Sequence, residues 1–403
     1  MRWMKHENNQ RIPILSWCES VEGSAMAQAE NLARHPAIEH HVALMPDCHT
    51  GIGMPIGGVI AVKDAVIPSA VGVDIGCGMV AVETDIQAER FAEMPFRRAF
   101  HEALKKRIPA GEGVSHRTEQ AWDGFTRYLD SGGAGQWVNA LDRKNLGTLG
   151  GGNHFVELQR SDTGFIWIMI HSGSRNLGNR IERHYQEKAQ HLNRQSCISL
   201  PDEHLAFLPI ELPEGRDYVR DMSFALRYAK ENRARMMAQA KETVALFVPE
   251  ARFLQEINIH HNYAAEERHF GEDYWIHRKG ATSAKDGELG IIPGSMGTAS
   301  YIVRGLGNRD SFMSCSHGAG RCMSRTKACQ TLTAEACDAA LKGIVYDRWK
   351  QGKPFGKRTN KPHGALDLSE APQAYKPIDD VIDSERDLIE PLVRLLPLAV
   401  LKG

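Results

Sequence analysis

The stretch Val71-Gly72-Val73-Asp74-Ile75-Gly76-Cys77-Gly78-Met79 sets a carboxylate and a thiol three residues apart on a glycine-rich turn. Together, Asp74 and Cys77 can hold one divalent metal, and a thiolate sulfur can bridge two. One hard and one soft donor suit Mn2+, Zn2+, Co2+ or Fe2+ better than Mg2+. The plainer reading is a glycine turn with a buried cysteine and a capping aspartate. Three later phrases supply histidines in matching surroundings: Gly152-Asn153-His154, His171-Ser172-Gly173-Ser174-Arg175 and His260-His261-Asn262. Neighbouring side chains on a strand point to opposite faces, so one of His260 and His261 is a ligand candidate. Glu266 and Glu267 are candidates to orient it. His317, in Ser316-His317-Gly318-Ala319-Gly320-Arg321, differs in kind, because small residues leave it open and Arg321, Arg325 and Lys327 make its surroundings positive. Such a histidine suits attack on phosphorus, since nearby cations favour the neutral imidazole.

Other residues suit a nucleotide. The glycines at 150–152 allow a nest of backbone amides for an oxyanion, although no Lys-Ser/Thr follows as in a Walker loop. Asn153 can donate to a phosphate. Phe155 and Glu157 alternate onto one strand face, offering a ring to stack on a base and a carboxylate for guanine N1–H and N2–H. The plainer reading makes them a core Phe and a surface Glu. Arg175 can clamp a phosphate with its planar fork. Pro293-Gly294-Ser295-Met296-Gly297 offers small residues and amides to a phosphate or a base edge. In Met45-Pro46-Asp47-Cys48-His49-Thr50-Gly51, Asp47 and His49 read either as a polar turn or as a pair that orients or ligates.

These phrases need strand ends and short turns to carry them. Patterning predicts strands over 58–66, 79–82, 165–170, 255–259 and 300–303, and one opening at Phe155. It predicts helices over 24–34, 87–106, 118–129, 181–195, 217–248 and 333–341. The Met222, Met236 and Met237 stripe reads as core. The basic face of helix 181–195 reads as solvated. Residues 110–117 read as a loop, and 348–361 as a basic segment that contacts RNA or is simply solvated. No internal repeat or low-complexity linker appears, so one integrated α+β domain over 1–403 is expected.

Composition sets outer bounds. Of 403 residues, 42% are hydrophobic and 25% charged, as in a globular protein, and a net charge of −1 argues against coating nucleic acid by bulk charge. No apolar run reaches the roughly 18 residues of a membrane span. Eight cysteines without paired spacing, behind a polar N-terminus, point to reduced thiols in the cytoplasm.

Taken in order, MPDCHTG, VGVDIGCGM, GGNHF, HSGSRNLG, HHN, PGSMG, HGAGR, AYK and a terminal LKG make the chain resemble the RtcB family of RNA ligases from about residue 42 to 403. The resemblance implies a single RtcB-like α+β domain, with mixed and antiparallel sheets flanked by helices around a central dimetal site. It implies a GTP-dependent ligase with two Mn2+ ions that joins an RNA 3′-phosphate or 2′,3′-cyclic phosphate to a 5′-hydroxyl, in RNA repair or tRNA splicing, and a small activator protein as a further partner. By the same resemblance Asp74, Cys77, His154, His171 and His261 are metal ligands, with Cys77 bridging. His317 is the guanylylated nucleophile, oriented by Asp47. Asn153 and Asn262 touch the GMP phosphate, and Phe155, Glu157, Ser295, Tyr375 and Lys402 line the guanosine site. Pro293, Gly294, Met296, Gly318, Ala319 and Gly320 belong to the same nucleotide pocket, and Arg175 and Arg321 stabilise the transferring phosphate. Cys48 and Thr50, and Met54-Pro55 after Gly53, depart from the family's usual residues beside the site. Two other readings compete: a two-metal phosphodiesterase that only opens cyclic phosphates and needs no His317, and a non-catalytic binder of RNA ends.

Overall fold

The computed structural model describes residues 1–350 and 366–403, so most of the basic segment expected at 348–361 lies outside the described residues. Two sheets dominate. The smaller has six strands, in the order Trp3–Lys5, Ile14–Ser16, Ile38–Ile52, Met54–Val62, Glu272–Lys279 and Asn262–His269. The larger runs Phe253–His260, Gly78–Gln87, Phe165–Ser172, Phe155–Ser161, Ile389–Lys402, Ser300–Gly305 and Leu289–Ile292, with Val345–Tyr346 beside Ile389–Lys402. Pairing is antiparallel except between Ile14–Ser16 and Ile38–Ile52 and between Val345–Tyr346 and Ile389–Lys402. The expected α+β class with mixed sheets holds.

Alternation along the strands explains the layering. Val80, Val82, Val156, Leu158, Ile168 and Ile170 face one side of the larger sheet. They pack on Met236, Met237, Ala240 and Val244 of the 35-residue helix Pro213–Phe247, and on Phe100 and Leu104 of Met94–Arg107. The opposite face carries Met79, Ala81, Phe155, Trp167 and Met169. Met222 packs in a third cluster with Tyr185, Tyr218 and Phe224, so the methionine stripe is core as expected. Arg183 and Arg194 of helix Leu177–Gln195 are exposed, as a solvated face requires.

Some expected boundaries move. The predicted helix over 87–106 opens as a 3-10 turn, Ala88–Phe91, and the α-helix starts at Met94 with Pro95 in its first turn, where a missing N–H costs nothing. The helix expected at 118–129 is only Asp123–Asp130. The strand expected over 58–66 is shifted to Met54–Val62, and MPDCHTG lies within the long, bulged strand Ile38–Ile52 rather than at a strand end. The segment 274–278 is the interior of the strand Glu272–Lys279.

Candidate functional site

One register row crosses the larger sheet. Lys402 faces Phe155, Phe155 faces His171, and His171 faces Met79. One step along, Ser172 faces Gly78, which in turn faces His260. Residues far apart in sequence therefore share one sheet edge, and a cavity of about 710 Å³ opens above it. Asp74, Cys77, Asn153, Phe155, His171, His261, Asn262, Ser295, His317, Tyr375 and Lys402 are on its wall, with the segments 293–296 and 318–321. Asp47, His154, Glu157 and Arg175 do not line it.

Cys77, His154 and His171 bring their donor atoms within 4.8 Å of one another, close enough to hold a metal ion. Cys77 Sγ is 3.2 Å from His171 Nε2 and 3.6 Å from His154 Nε2, and Asp74 Oδ2 is 3.6 Å from His154 Nε2. The His261 ring is 5.2 Å from that of His171, and its buried Nδ1 has no hydrogen-bond partner among the described residues. An orphaned imidazole nitrogen beside a thiol, a carboxyl and two imidazoles is what a borderline-soft divalent ion would satisfy. Burial holds His171 and His261 far below the usual imidazole range, in the neutral form that binds metal. Burial works to raise the Asp74 carboxyl, but His154, Cys77 and Arg175 bring it below its ordinary value. Burial and Asp74 push the Cys77 thiol well up. The second nitrogens of the histidines are fixed by backbone: His154 Nδ1 lies 3.0 Å from Leu149 O, and His171 Nδ1 3.2 Å from Asn153 O.

On the other side of His261, at 4.8 Å between ring centroids, sits His317. Its Nδ1 donates to Asp47 Oδ2 at 2.6 Å, and its backbone N–H donates to the same oxygen at 3.1 Å. Asp47 is completely buried. The chain closes around it only because position 320 is glycine: φ is +69°, and a Cβ there would stand 2.3 Å from Asp47 O. Lys376 Nζ donates to Pro46 O and Cys48 O, both at 2.9 Å, and so pins the strand on either side of Asp47. Glu385 accepts hydrogen bonds from the Ser316 N–H and hydroxyl, which fixes the residue before His317.

The cationic surroundings expected for His317 are built differently. Arg321 and Arg325 turn to Glu370, at 3.3 and 3.1 Å, and Lys402 approaches the same carboxylate at 3.7 Å. Tyr375 donates to it as well. Arg321 also donates to Ser369 O and Met323 O, so it braces the cavity wall and presents no free fork to a phosphate. The partner that faces His317 is Asp47, an anion. Arg175, with φ at +55°, packs its guanidinium against Gly150, where a Cβ would stand 1.9 Å from Nη1. It buttresses the glycine loop from behind. Asn262 uses its side chain on backbone, donating to Asp74 O at 3.1 Å and accepting from Gly280 N at 2.7 Å. Glu267 binds Arg278 and His269 rather than orienting His261. Thr50, one of the departures from the family pattern, donates to Glu22, and both line the cavity rim with His49.

Phe155 and Glu157 do share a face. Lys402 Nζ stands 5.7 Å from the Phe155 ring centroid, and Glu157, 2% exposed, accepts from Gln159 at 2.7 Å. Glu370, Glu385, Asn232 and Arg233 were not singled out in the sequence, and Lys376 only as the last residue of AYK. Each lies in an unremarkable polar or helical context, and its role exists only through contacts with distant segments.

A mixed α+β fold that sets a cysteine–histidine group able to hold a metal ion beside an aspartate-held histidine, at one cavity, defines the class as a candidate metal-site protein. Sequence comparison narrows the class. A family model described as "tRNA-splicing ligase RtcB" matches residues 28–403, and the chain belongs to that family. It is 38% identical over 418 residues to the RNA-splicing ligase RtcB of Escherichia coli K12, covering 98% of each chain. It is 33% identical over 455 residues to the tRNA-splicing ligase RtcB of Archaeoglobus fulgidus, covering 95% of this chain and 92% of that one. The protein of the same description from Methanococcus maripaludis is 30% identical over 459 residues. Among the described residues no helix is long and apolar enough to cross a membrane.

Proposed function

We propose that this chain is a GTP-dependent RNA ligase that joins RNA 3′-phosphate or 2′,3′-cyclic phosphate ends to 5′-hydroxyl ends. The observation that carries the reading is the His317–Asp47 pair in the same cavity as the cysteine–histidine group. A phosphodiesterase that only opens cyclic phosphates has no use for such a nucleophile. Asp74, Cys77, His154, His171 and His261 would hold two Mn2+ ions, which fit the mixed donor set and the unpartnered His261 Nδ1. When bound, the ions neutralise the charge on the triphosphate and on the transferring phosphoryl group.

In this reading the protein's own residues carry the steps. Asp47 can only accept, so the His317 proton stays on Nδ1 and the Nε2 lone pair is free. Nε2 attacks the α-phosphorus of GTP, the bond to pyrophosphate breaks, and a histidine–GMP phosphoramidate remains. An oxygen of the RNA 3′-phosphate attacks that phosphorus, the N–P bond breaks, and an RNA(3′)pp(5′)G end forms. The 5′-hydroxyl, losing its proton, attacks the RNA phosphorus, and GMP leaves. A cyclic phosphate is first opened by water to the 3′-phosphate. In this reading Phe155 stacks on the base, Glu157 reads its edge, and Ser295, Tyr375 and Lys402 complete the guanosine pocket. The backbones of 293–296 and 318–320, with Asn153, seat the phosphates.

Incubation with α-labelled GTP and Mn2+, followed by a denaturing gel, tests this. An acid-labile, alkali-stable label on the protein, absent in His317→Ala, is expected. Ligation retained by His317→Ala would sink the mechanism.

A further inference from the structure

The apolar stripe of helix Pro213–Phe247 is interrupted at its middle. Ala229, Met236 and Ala240 are fully buried core residues, and so are Asn232 and Arg233 between them. An amide and a guanidinium in that position are costly unless every donor is used. The described residues offer Arg233 no carboxylate within ion-pair distance. Its donors go to backbone and neutral groups on three separate segments. Nη1 donates to Gly76 O and Ser172 O, both at 2.9 Å; Nε donates to Asn258 Oδ1 at 3.0 Å; Nη2 lies 3.2 Å from His260 Nδ1. Gly76 lies between Asp74 and Cys77, Ser172 follows His171, and Asn258 to His260 lead into His261.

Asn232 takes the fourth segment. Its Oδ1 accepts from Gly147 N at 2.7 Å and Thr148 N at 3.0 Å. Its Nδ2 donates to Thr148 O at 3.1 Å, and to Ser172 Oγ and Gly173 O at 3.2 Å. Ser172 Oγ in turn donates to Leu149 O at 2.8 Å, the carbonyl that also holds His154 Nδ1. Two adjacent side chains on one rigid helix thus tie together all four segments that carry Asp74, Cys77, His154, His171 and His261. Among the described residues, none of the five ligand candidates is itself hydrogen-bonded to the helix by its side chain.

We propose that Asn232 and Arg233 are positioning residues of the metal centre, holding the four ligand-bearing segments at the mutual distances at which one ion, or two, can be shared. This rests on reading those five residues as metal ligands. The fixed fork of arginine matters, because it reaches two carbonyls and an amide oxygen at once. A lysine at the same place carries the charge but cannot span them.

Co2+ is the probe. Added to the apo protein, it reports on the site through a thiolate-to-cobalt charge-transfer band in the near ultraviolet, independently of any ligase activity. The wild-type protein is expected to titrate saturably. Arg233→Lys and Asn232→Ala should shift the midpoint about 10–100-fold to weaker binding, the range found when groups orienting a ligand are removed. Met236→Ala, on the same helix and in the core, separates positioning from general loosening: its Tm should fall while its Co2+ midpoint stays at the wild-type value. Arg233→Lys titrating like wild type, or Met236→Ala weakening Co2+ as much as Arg233→Lys, would overturn the positioning role. A wild-type protein with no thiolate–cobalt band would instead remove the metal-centre reading beneath it.

Discussion

Replacing Asp47 with asparagine keeps its shape and removes the charge that fixes the His317 proton on Nδ1. An amide can also present its NH2 to that nitrogen and turn the imidazole round. Asp47→Asn is therefore expected to lower the rate of GMP transfer to the protein by about 10²–10⁴-fold, with little change in Tm, measured in a single turnover with labelled GTP. Glu157 sets a pH dependence. Burial raises its carboxyl to about 7, against Lys402 and Gln159, which pull it down. Only the ionised form accepts both guanine N–H groups, so GTP binding should strengthen as pH rises through about 7 and level off above it. Glu157→Gln should bind GTP weakly and without that step, and a wild-type curve flat from pH 6 to 8 would count against Glu157 as the base reader. Glu385 bears on stability rather than binding. Burial raises it from 4.5 to about 8 although Ser316 opposes the shift. A carboxyl raised on folding contributes stability that is full below 4.5 and is lost as pH passes 8. The Tm of the wild-type protein should fall between pH 5 and 9, and the fall should be smaller in Glu385→Gln.

At the level of elements, the Asp47–His317 pair depends on two backbones that touch. The loop at Gly320 crosses the strand at Asp47 with no room for a Cβ, and in a conformation that side chains resist. Gly320→Ala should destabilise the protein by at least about 1 kcal/mol and also slow GMP transfer, because relief of the clash pulls Asp47 from His317. Urea unfolding and the single-turnover assay read the two effects separately. Loss of stability with a normal transfer rate would mean that the pair tolerates the shift. The long helix acts in the opposite sense, as a rigid bar beneath several strand ends. Its apolar residues hold the sheet and its two buried polar residues hold the turns, so one element does both jobs without being exposed to the cavity.

Across the whole molecule, the site joins segments from residue 47 to residue 402. The last strand matters most here. Ile389–Lys402 enters the middle of the larger sheet, and its final residue sits opposite Phe155. Leu395, Val400 and Leu401 bury its core contacts, whereas Lys402 reaches the cavity. Removing Lys402 and Gly403 should therefore leave the fold near its wild-type Tm and raise the KM for GTP in labelling assays. A truncated protein with unchanged KM would take Lys402 out of the nucleotide pocket. The cationic anchors of Glu370 come from two distant parts of the chain, Arg321 and Arg325 from one segment and Lys402 from the last strand. That carboxylate is one of the points where the separate segments are locked into a single wall.

Much of this was legible in the order of residues. Strand alternation and helical spacing predicted most elements, because burial on one face imposes its period on any sequence. Asp74, Cys77, His154, His171, His261 and His317 stand out as chemistry because glycine- and asparagine-rich turns surround each of them, and such turns are where backbone and side chains approach a bound group. The sequence could not say what Arg321, Arg175 and Glu267 do, since a cation or an anion looks the same whether it meets a ligand or a partner inside the protein. Only the tertiary structure decided that Arg321 braces Glu370 and that Arg175 buttresses a glycine loop, whereas the contact of Asp47 with His317 was already implied by the family resemblance. The structure alone also revealed Asn232 and Arg233, because a buried polar pair is read from the acceptors it meets. Those acceptors are contributed by four segments between 76 and 260, which come together only when the sheet forms. Local sequence determines which groups can do chemistry, and long-range pairing determines which of them meet.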